Sequence, residues 1–265
     1  MNMKPSQQRG LTLIELMVAL VISLLILAGL FTVYKSNQHA NRLNEGLTRT
    51  QENGRFAVDF LGRDIRQAGF PASDANVQKF LFFGSLNDVA VANNPYPSDV
   101  LALRHGTTGL LTADCAGNTP GNVDTANSLP NTSLNIYDIR DTGRLNNRGK
   151  PIFALFCNGA ELVEGIQNMQ VLYGVDTDFT RDYIANQYVT ASAVPDLDGD
   201  QKPDWFRVVS LRIALLASSV DERASAPSPR TFDLLGTTLG PYTDKEIRRV
   251  YTTTILIRNN MAPTP

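Results

Sequence analysis

From Leu11 to Tyr34 the chain is almost wholly apolar, a run of about 24 residues whose one charge is Glu15. As a helix it reaches roughly 36 Å, enough to span a bilayer core of about 30 Å with some tilt. From Leu43 the apolar positions thin to a stripe: Leu43, Leu47, Ala57, Leu61, Ile65 and Ala68, spaced at combinations of three and four. Arg49, Glu52, Arg55, Asp59, Arg63 and Arg66 lie mostly between them, and Gly69-Phe70-Pro71 supplies the stop. The pattern predicts one helix from Leu11 to Ala68, roughly 87 Å long. Its first half lacks a soluble partner, whereas its second half offers a stripe for a sheet. Gly29, Gly46, Gly54 and Gly62 interrupt good helix formers; each costs up to about 1 kcal/mol relative to alanine, and permits bending or is simply tolerated.

Beyond Pro71, turn-rich stretches such as Asn93-Asn94-Pro95-Tyr96-Pro97 and Gly117-Asn118-Thr119-Pro120-Gly121 alternate with short apolar runs. Strands are predicted at Val100–Arg104, Leu134–Arg140, Ile152–Phe156, Gln170–Val175, Phe206–Leu216 and Ile247–Arg258. The last two alternate clearly: Val209, Leu211, Ile213 and Leu215 share one face, as do Tyr251, Thr253, Ile255 and Ile257. The expected class is α+β: a long N-terminal helix, transmembrane half plus amphipathic half, packed on an antiparallel β-sheet. Trp205, Phe80, Phe82, Phe83, Phe153 and Phe156 are expected in the core. The organisation reads as residues 1–10, a polar leader; 11–34, a hydrophobic helix; 35–70, its amphipathic continuation; and 71–265, a β-rich globular domain.

The 265 residues, 43% hydrophobic and 19% charged, suffice for one sizeable core plus an appendage. A net charge of −2, with Arg248-Arg249 only a dipeptide, argues against a nucleic-acid partner.

Lys4 and Arg9 precede the apolar run, so the start of the chain should stay cytoplasmic while the bulk is exported. An ordinary cleaved secretory signal has an apolar stretch of only about 7–15 residues, and this one is too long. Glu15 separates a plain anchor from something more specific. A carboxylate inside an apolar span costs a few kcal/mol on insertion scales and is a functional candidate by default; the bland alternative is snorkelling to the interface.

Gly10-Leu11-Thr12-Leu13-Ile14-Glu15 resembles the processing motif of type IV prepilins, with Leu11 where phenylalanine is commonest. The resemblance implies that prepilin peptidase cuts between Gly10 and Leu11 and that Leu11 becomes the N-methylated first residue. It implies that Glu15, then the fifth residue, neutralises the terminal amine of an adjacent subunit in a low-dielectric helix bundle. Several later segments are similar to PilW-like minor pilins: Glu52–Ala57 running into Asp64–Phe70, Asn168–Asp176, Val208–Leu216 and Arg248–Asn259. The stretch between Phe70 and Asn168 carries no part of the likeness. By this resemblance the chain is a minor pilin of the type IV pilus, held by one span in the bacterial inner membrane with its C-terminal domain periplasmic, then carried to the cell surface. It would join other minor pilins, the major pilin and a tip adhesin in a tip or initiation complex. Two alternatives stay open: the large minor pseudopilin of a type II secretion system, and a membrane-tethered, calcium-dependent adhesin or binding module.

The sharpest local constellation is Asp196-Leu197-Asp198-Gly199-Asp200-Gln201-Lys202-Pro203-Asp204. Alternating carboxylates converge only if a cation cancels their repulsion, and a hard ion wants six to eight oxygens, so structural Ca²⁺ is expected on Asp196, Asp198, Asp200 and Asp204. The loop is not a standard EF-hand, since Arg207 stands at the twelfth position; the bland alternative is an acidic turn. Asp176 and Asp178 form a weaker cluster, broken by Phe179. Once export is accepted, Cys115 and Cys157 are expected to pair, with unpaired buried thiols as the alternative. His39 and His105 read as solvated or structural. With no nucleophile elbow, metalloprotease helix or phosphate loop, no enzyme is expected.

Overall fold

The computed structural model describes residues 12–70, 81–82, 85–106, 113–118, 123–124, 129–130, 132–199, 201–224 and 229–261. The chain divides into two compact units, Met1–Glu45 and Gly46–Pro265. One helix, α1 (Leu13–Gln67), contributes to both.

In the first unit, every large apolar side chain from Leu13 to Tyr34 is 52–79% exposed. The segment is long and apolar enough to cross a membrane. Its hydroxyls are closed off within the helix: Ser23 Oγ donates to the Ala19 carbonyl at 2.7 Å and Thr32 Oγ1 to that of Gly29 at 2.7 Å. In hydrocarbon a hydroxyl without such a partner would be costly.

In the second unit the helix buries Gly46, Thr50, Gly54, Ala57, Leu61, Gly62 and Ile65. This corrects the expected stripe, for Leu47 is 40% exposed. The small residues win because they let β-sheet side chains reach the helix backbone. A Cβ at Gly54 would overlap the Tyr251 ring, and one at Gly46 would lie 3.0 Å from Arg223 Cβ. These glycines are contact points, a third reading beside bending and tolerance. The helix stops at Gly69, whose φ of +78° favours glycine. Asn259 Nδ2 donates to the end carbonyls of Arg66 and Ala68, each at 3.1 Å.

The strands in chain order begin with β1 (Leu86–Val89), β2 (Ser98–Gly106), β3 (Val123–Asp124), β4 (Leu129–Pro130) and β5 (Thr132–Leu145). Next come β6 (Pro151–Cys157), β7 (Ala160–Glu164), β8 (Ile166–Val175) and β9 (Gln187–Val189). The chain closes with β10 (Val208–Glu222), β11 (Arg230–Leu234), β12 (Thr237–Tyr242) and β13 (Glu246–Leu256). They form a five-stranded sheet, β1-β2-β5-β6-β7, and a four-stranded sheet, β13-β10-β8-β9, with β11-β12 and β3-β4 as separate hairpins. All pairings are antiparallel.

The single sheet expected from the sequence is therefore two. Side chains, not a backbone ladder, join them at one seam. Met169 N–H donates to Ser98 Oγ at 2.9 Å, and Val171 N–H donates to Asp99 Oδ2 at 2.7 Å. The core fills with Leu101, Leu103, Tyr137, Ile139 and Leu155 from the larger sheet and Met169, Val171, Leu211, Ile213 and Leu215 from the smaller, all buried. Phe82, Tyr173 and Trp205 meet edge to face, with ring centroids 5.2–6.0 Å apart. Phe153 is buried and Phe156 only partly so; Phe80 and Phe83 lie outside the described residues. A second cluster, Ala214, Leu216, Leu234 and Leu239, lies under the β11-β12 hairpin, so β10 is buried on both faces.

Candidate assembly and metal sites

Gly10 and Leu11 lie outside the described residues. Thr12 and Glu15 close the start of α1 reciprocally. Glu15 N–H donates to Thr12 Oγ1 at 3.3 Å, while Thr12 N–H and Oγ1 both donate to Glu15 Oε2 at 3.0 Å. This is a capping box, in which two helix-end donors are satisfied by each other's side chains. The Thr-x-x-Glu spacing carried that signal, which the reading of Glu15 as an intramembrane acid passed over. Both donors use Oε2, and among the described residues no hydrogen bond goes to Oε1.

The loop between η-turn residues Ala191–Ala193 and Trp205–Arg207 brings carboxylate oxygens of Asp196, Asp198 and Asp204 within 4.8 Å of one another. Asp200 lies outside the described residues. Asp196 Oδ1 and Oδ2 accept the Gly199 and Gln201 N–H groups at 2.7 Å each, and Asp204 Oδ2 accepts that of Leu197 at 2.7 Å. Gly199 and Gln201 both take positive φ, at 82° and 65°, which folds the acids inward. Burial first, then the like charges of Asp198 and Asp196, push the Asp204 carboxyl above its usual range. Oxygens on a Ca²⁺ ion at about 2.3–2.6 Å lie up to about 5 Å apart, so the spacing and the all-oxygen donor set fit that ion.

A second group comprises Asp176, Asp178 and Asp182. Asp176 is fully buried, and its oxygens accept the Asp178 and Tyr183 N–H groups at 3.1 and 2.8 Å. Those bonds make it a loop organiser. Arg207 Nη1 donates to the Asp178 carbonyl at 3.0 Å, tying the loop to the turn before β10.

Cys115 and Cys157 are disulfide-bonded, their Cα atoms 6.0 Å apart. The bond fastens the segment before β5 to the end of β6.

One cluster escaped the sequence reading. Asp64, on α1, receives Asn135 Nδ2 at 2.9 Å and Tyr137 Oη at 2.8 Å, and His105 Nε2 lies 3.0 Å away. Burial alone would raise the Asp64 carboxyl; hydrogen bonding and charge from His105, with the other two donors, outweigh it and hold the group below its ordinary value. Asp64 follows Ala57 and Leu61 at helical spacing, and an acid on that apolar stripe was the available signal. The partners, 41 to 73 residues away in sequence, left none. His105 is thus buried and structural, and His39 is exposed.

Comparison with known proteins gives two family matches. The model described as Type IV Pilus-assembly protein W matches residues 139–259, and the Prokaryotic N-terminal methylation motif matches residues 5–31. Among solved structures, a type IV-like pilin from Thermus thermophilus is similar at 16% identity and a TM-score of 0.35, over 79% of this chain and 96% of that one. No curated protein matches in sequence. A prepilin-type motif before an exposed apolar helix, with the pilus-assembly match spanning strands of both large sheets, makes the chain similar to the PilW-like type IV pilins.

Proposed function

We propose that this chain is a minor pilin that helps start and cap a type IV pilus together with other minor pilins. The observation that carries the reading is α1 itself. Its large apolar side chains are all exposed, its Ser23 and Thr32 hydroxyls are satisfied internally, and its one acid stands at the mouth of the helix. Such a surface is stable in a bilayer and, after extraction, only against other helices of the same kind. Cleavage after Gly10 would place a positive amine on Leu11. Glu15 Oε1 of one subunit then neutralises that amine on the next, while Oε2 goes on capping its own helix. The pilus-assembly match over residues 139–259 favours the pilus over a secretion pseudopilin.

The globular unit belongs in the periplasm, an oxidising space suited to the Cys115–Cys157 bond. Asp196, Asp198 and Asp204, with Asp200, are the residues that would hold Ca²⁺. The ion would neutralise a loop whose carboxylates otherwise repel, and so supply structural stability.

Mass spectrometry of the protein from cells with and without prepilin peptidase tests the reading. The expected mature form lacks ten residues and carries one added methyl group. An intact N-terminus in peptidase-competent cells would overturn it.

A further inference from the structure

Four positions of α1, Phe60, Arg63, Asp64 and Gln67, recur at spacings of three and four and so share one face near the end of the helix. With His105 on β2 and Ser133 on β5, they line a cavity of about 180 Å³ within the globular unit. His105 and Ser133 stand directly opposite each other in the β2–β5 pairing. His105 is 2% exposed, and its two ring nitrogens differ in their surroundings. Nε2 lies 3.0 Å from Asp64 Oδ1, whereas Nδ1 is buried without a hydrogen-bond partner. A buried polar atom left unmet is costly, so the contents of the cavity have to meet it.

The groups on the wall select the class of ligand. Both acids are already occupied by the protein. Asp64 faces His105, Asn135 and Tyr137, and Asp114, also on the wall, accepts the Ala116 and Asn118 N–H groups and the Asn158 amide at 2.8–3.1 Å. By contrast, among the described residues no group bonds to the side chains of Arg63, Gln67 or Ser133. The open groups are therefore a guanidinium fork, an imidazole nitrogen, an amide and a hydroxyl. Together they suit a carboxylate. Phe60, 41% exposed on the same wall, offers a ring face for an apolar body.

We propose that this cavity binds a small organic carboxylate. Arg63 would hold the carboxylate in its fork, His105 Nδ1–H, Ser133 and Gln67 would complete the bonds to its oxygens, and Phe60 would cover its apolar body. Bound so, the His105 ring carries both protons and stands between two carboxylates, that of Asp64 and that of the ligand. The site goes beyond the assembly role proposed above and stands without it, because its test reads binding in the cavity and not filament formation.

The test uses the full chain in detergent micelles with isotope-labelled histidine, so that NMR reads the two imidazoles, His39 and His105, separately. Benzoate is the probe and benzamide its uncharged counterpart. Benzoate should move the His105 nitrogen signals along a saturable curve and leave those of the exposed His39 in place. Benzamide should bind at least about tenfold more weakly. Arg63→Gln should weaken benzoate binding about tenfold, whereas Arg55→Gln, at an exposed arginine earlier on α1, should not change it. Arg63 is itself exposed, so its loss spares the fold, and an unchanged amide spectrum of that variant verifies this. No saturable shift, meaning that the cavity holds water alone, would overturn the proposal. So would equal binding of benzamide, parallel movement of His39, or unchanged affinity in Arg63→Gln.

Discussion

The two units solve opposite problems with one helix. Up to Glu45 the helix keeps its polar groups to itself and leaves apolar side chains uncovered. From Gly46 onward it buries a stripe of small residues and spends polar side chains on the sheets. The difference shows in the acids. Glu15 caps its own backbone through Oε2, whereas Asp64 meets His105, Asn135 and Tyr137 of the same unit. An exposed apolar face fits the association proposed above, whereas a buried acid with three partners serves folding.

The largest expected effect comes from breaking the first half of that comparison. Glu15→Ala should abolish recovery in sheared pili, while the melting temperature of the globular unit stays unchanged. Glu15→Gln retains the capping geometry and loses only the charge, so wild-type incorporation of that variant would show that capping, not amine neutralisation, is what filaments need.

Within the globular unit, Cys115→Ser with Cys157→Ser releases a bridge of sequence separation 42. Denaturant unfolding should register a loss of about 4 kcal/mol. Asp64→Ala leaves three polar partners unpaired and should cost about 3 kcal/mol by the same measurement.

Next comes a dependence on pH. Burial, opposed only in part by the Val171 and Asp88 N–H groups, pushes the Asp99 carboxyl up to about 6. The folded state therefore binds this proton more tightly than the unfolded chain. The stabilisation is complete below about pH 4 and is lost as pH rises through about 6. Asp244 works the other way. Burial raises it, but its bonds and ion pairs with Arg248 and the charge of Lys150 overcome this and hold it at about 2, so its contribution disappears as pH falls from about 4 toward that value. Urea midpoints against pH should fall between 4 and 6 in the wild type, and Asp99→Asn should remove that part of the slope.

The smallest effect sharpens the comparison at the helix glycines. Gly54→Ala gains up to about 1 kcal/mol of helix propensity but forces Tyr251 away, an overpacking cost of about 1–3 kcal/mol. A net loss of about 1 kcal/mol is expected, against a gain for Gly29→Ala, where a Cβ meets nothing.

Much of the architecture was legible because it is local. A 24-residue apolar run, a helical stripe and period-two alternation each report one segment's own environment, and the helix and six main strands follow from them, though β5 and β10 run five and six residues past their expected ends. The short edge strands and the β11-β12 hairpin carried too little period to be read. Leu47 and the glycines were misread for a related reason: amphipathic spacing says which face is inward, not how closely the sheet approaches it.

The amino-acid order by itself determined the exposed apolar helix, the acid at its start, the acidic loop and the antiparallel strands, since all depend on neighbours a few residues apart. Only tertiary structure decided that the strands form two sheets stitched through Ser98 and Asp99. It alone brought Asp64 to His105 and Tyr137. Those outcomes turn on which distant backbone groups meet, and a side chain's spacing from its own neighbours holds no record of that.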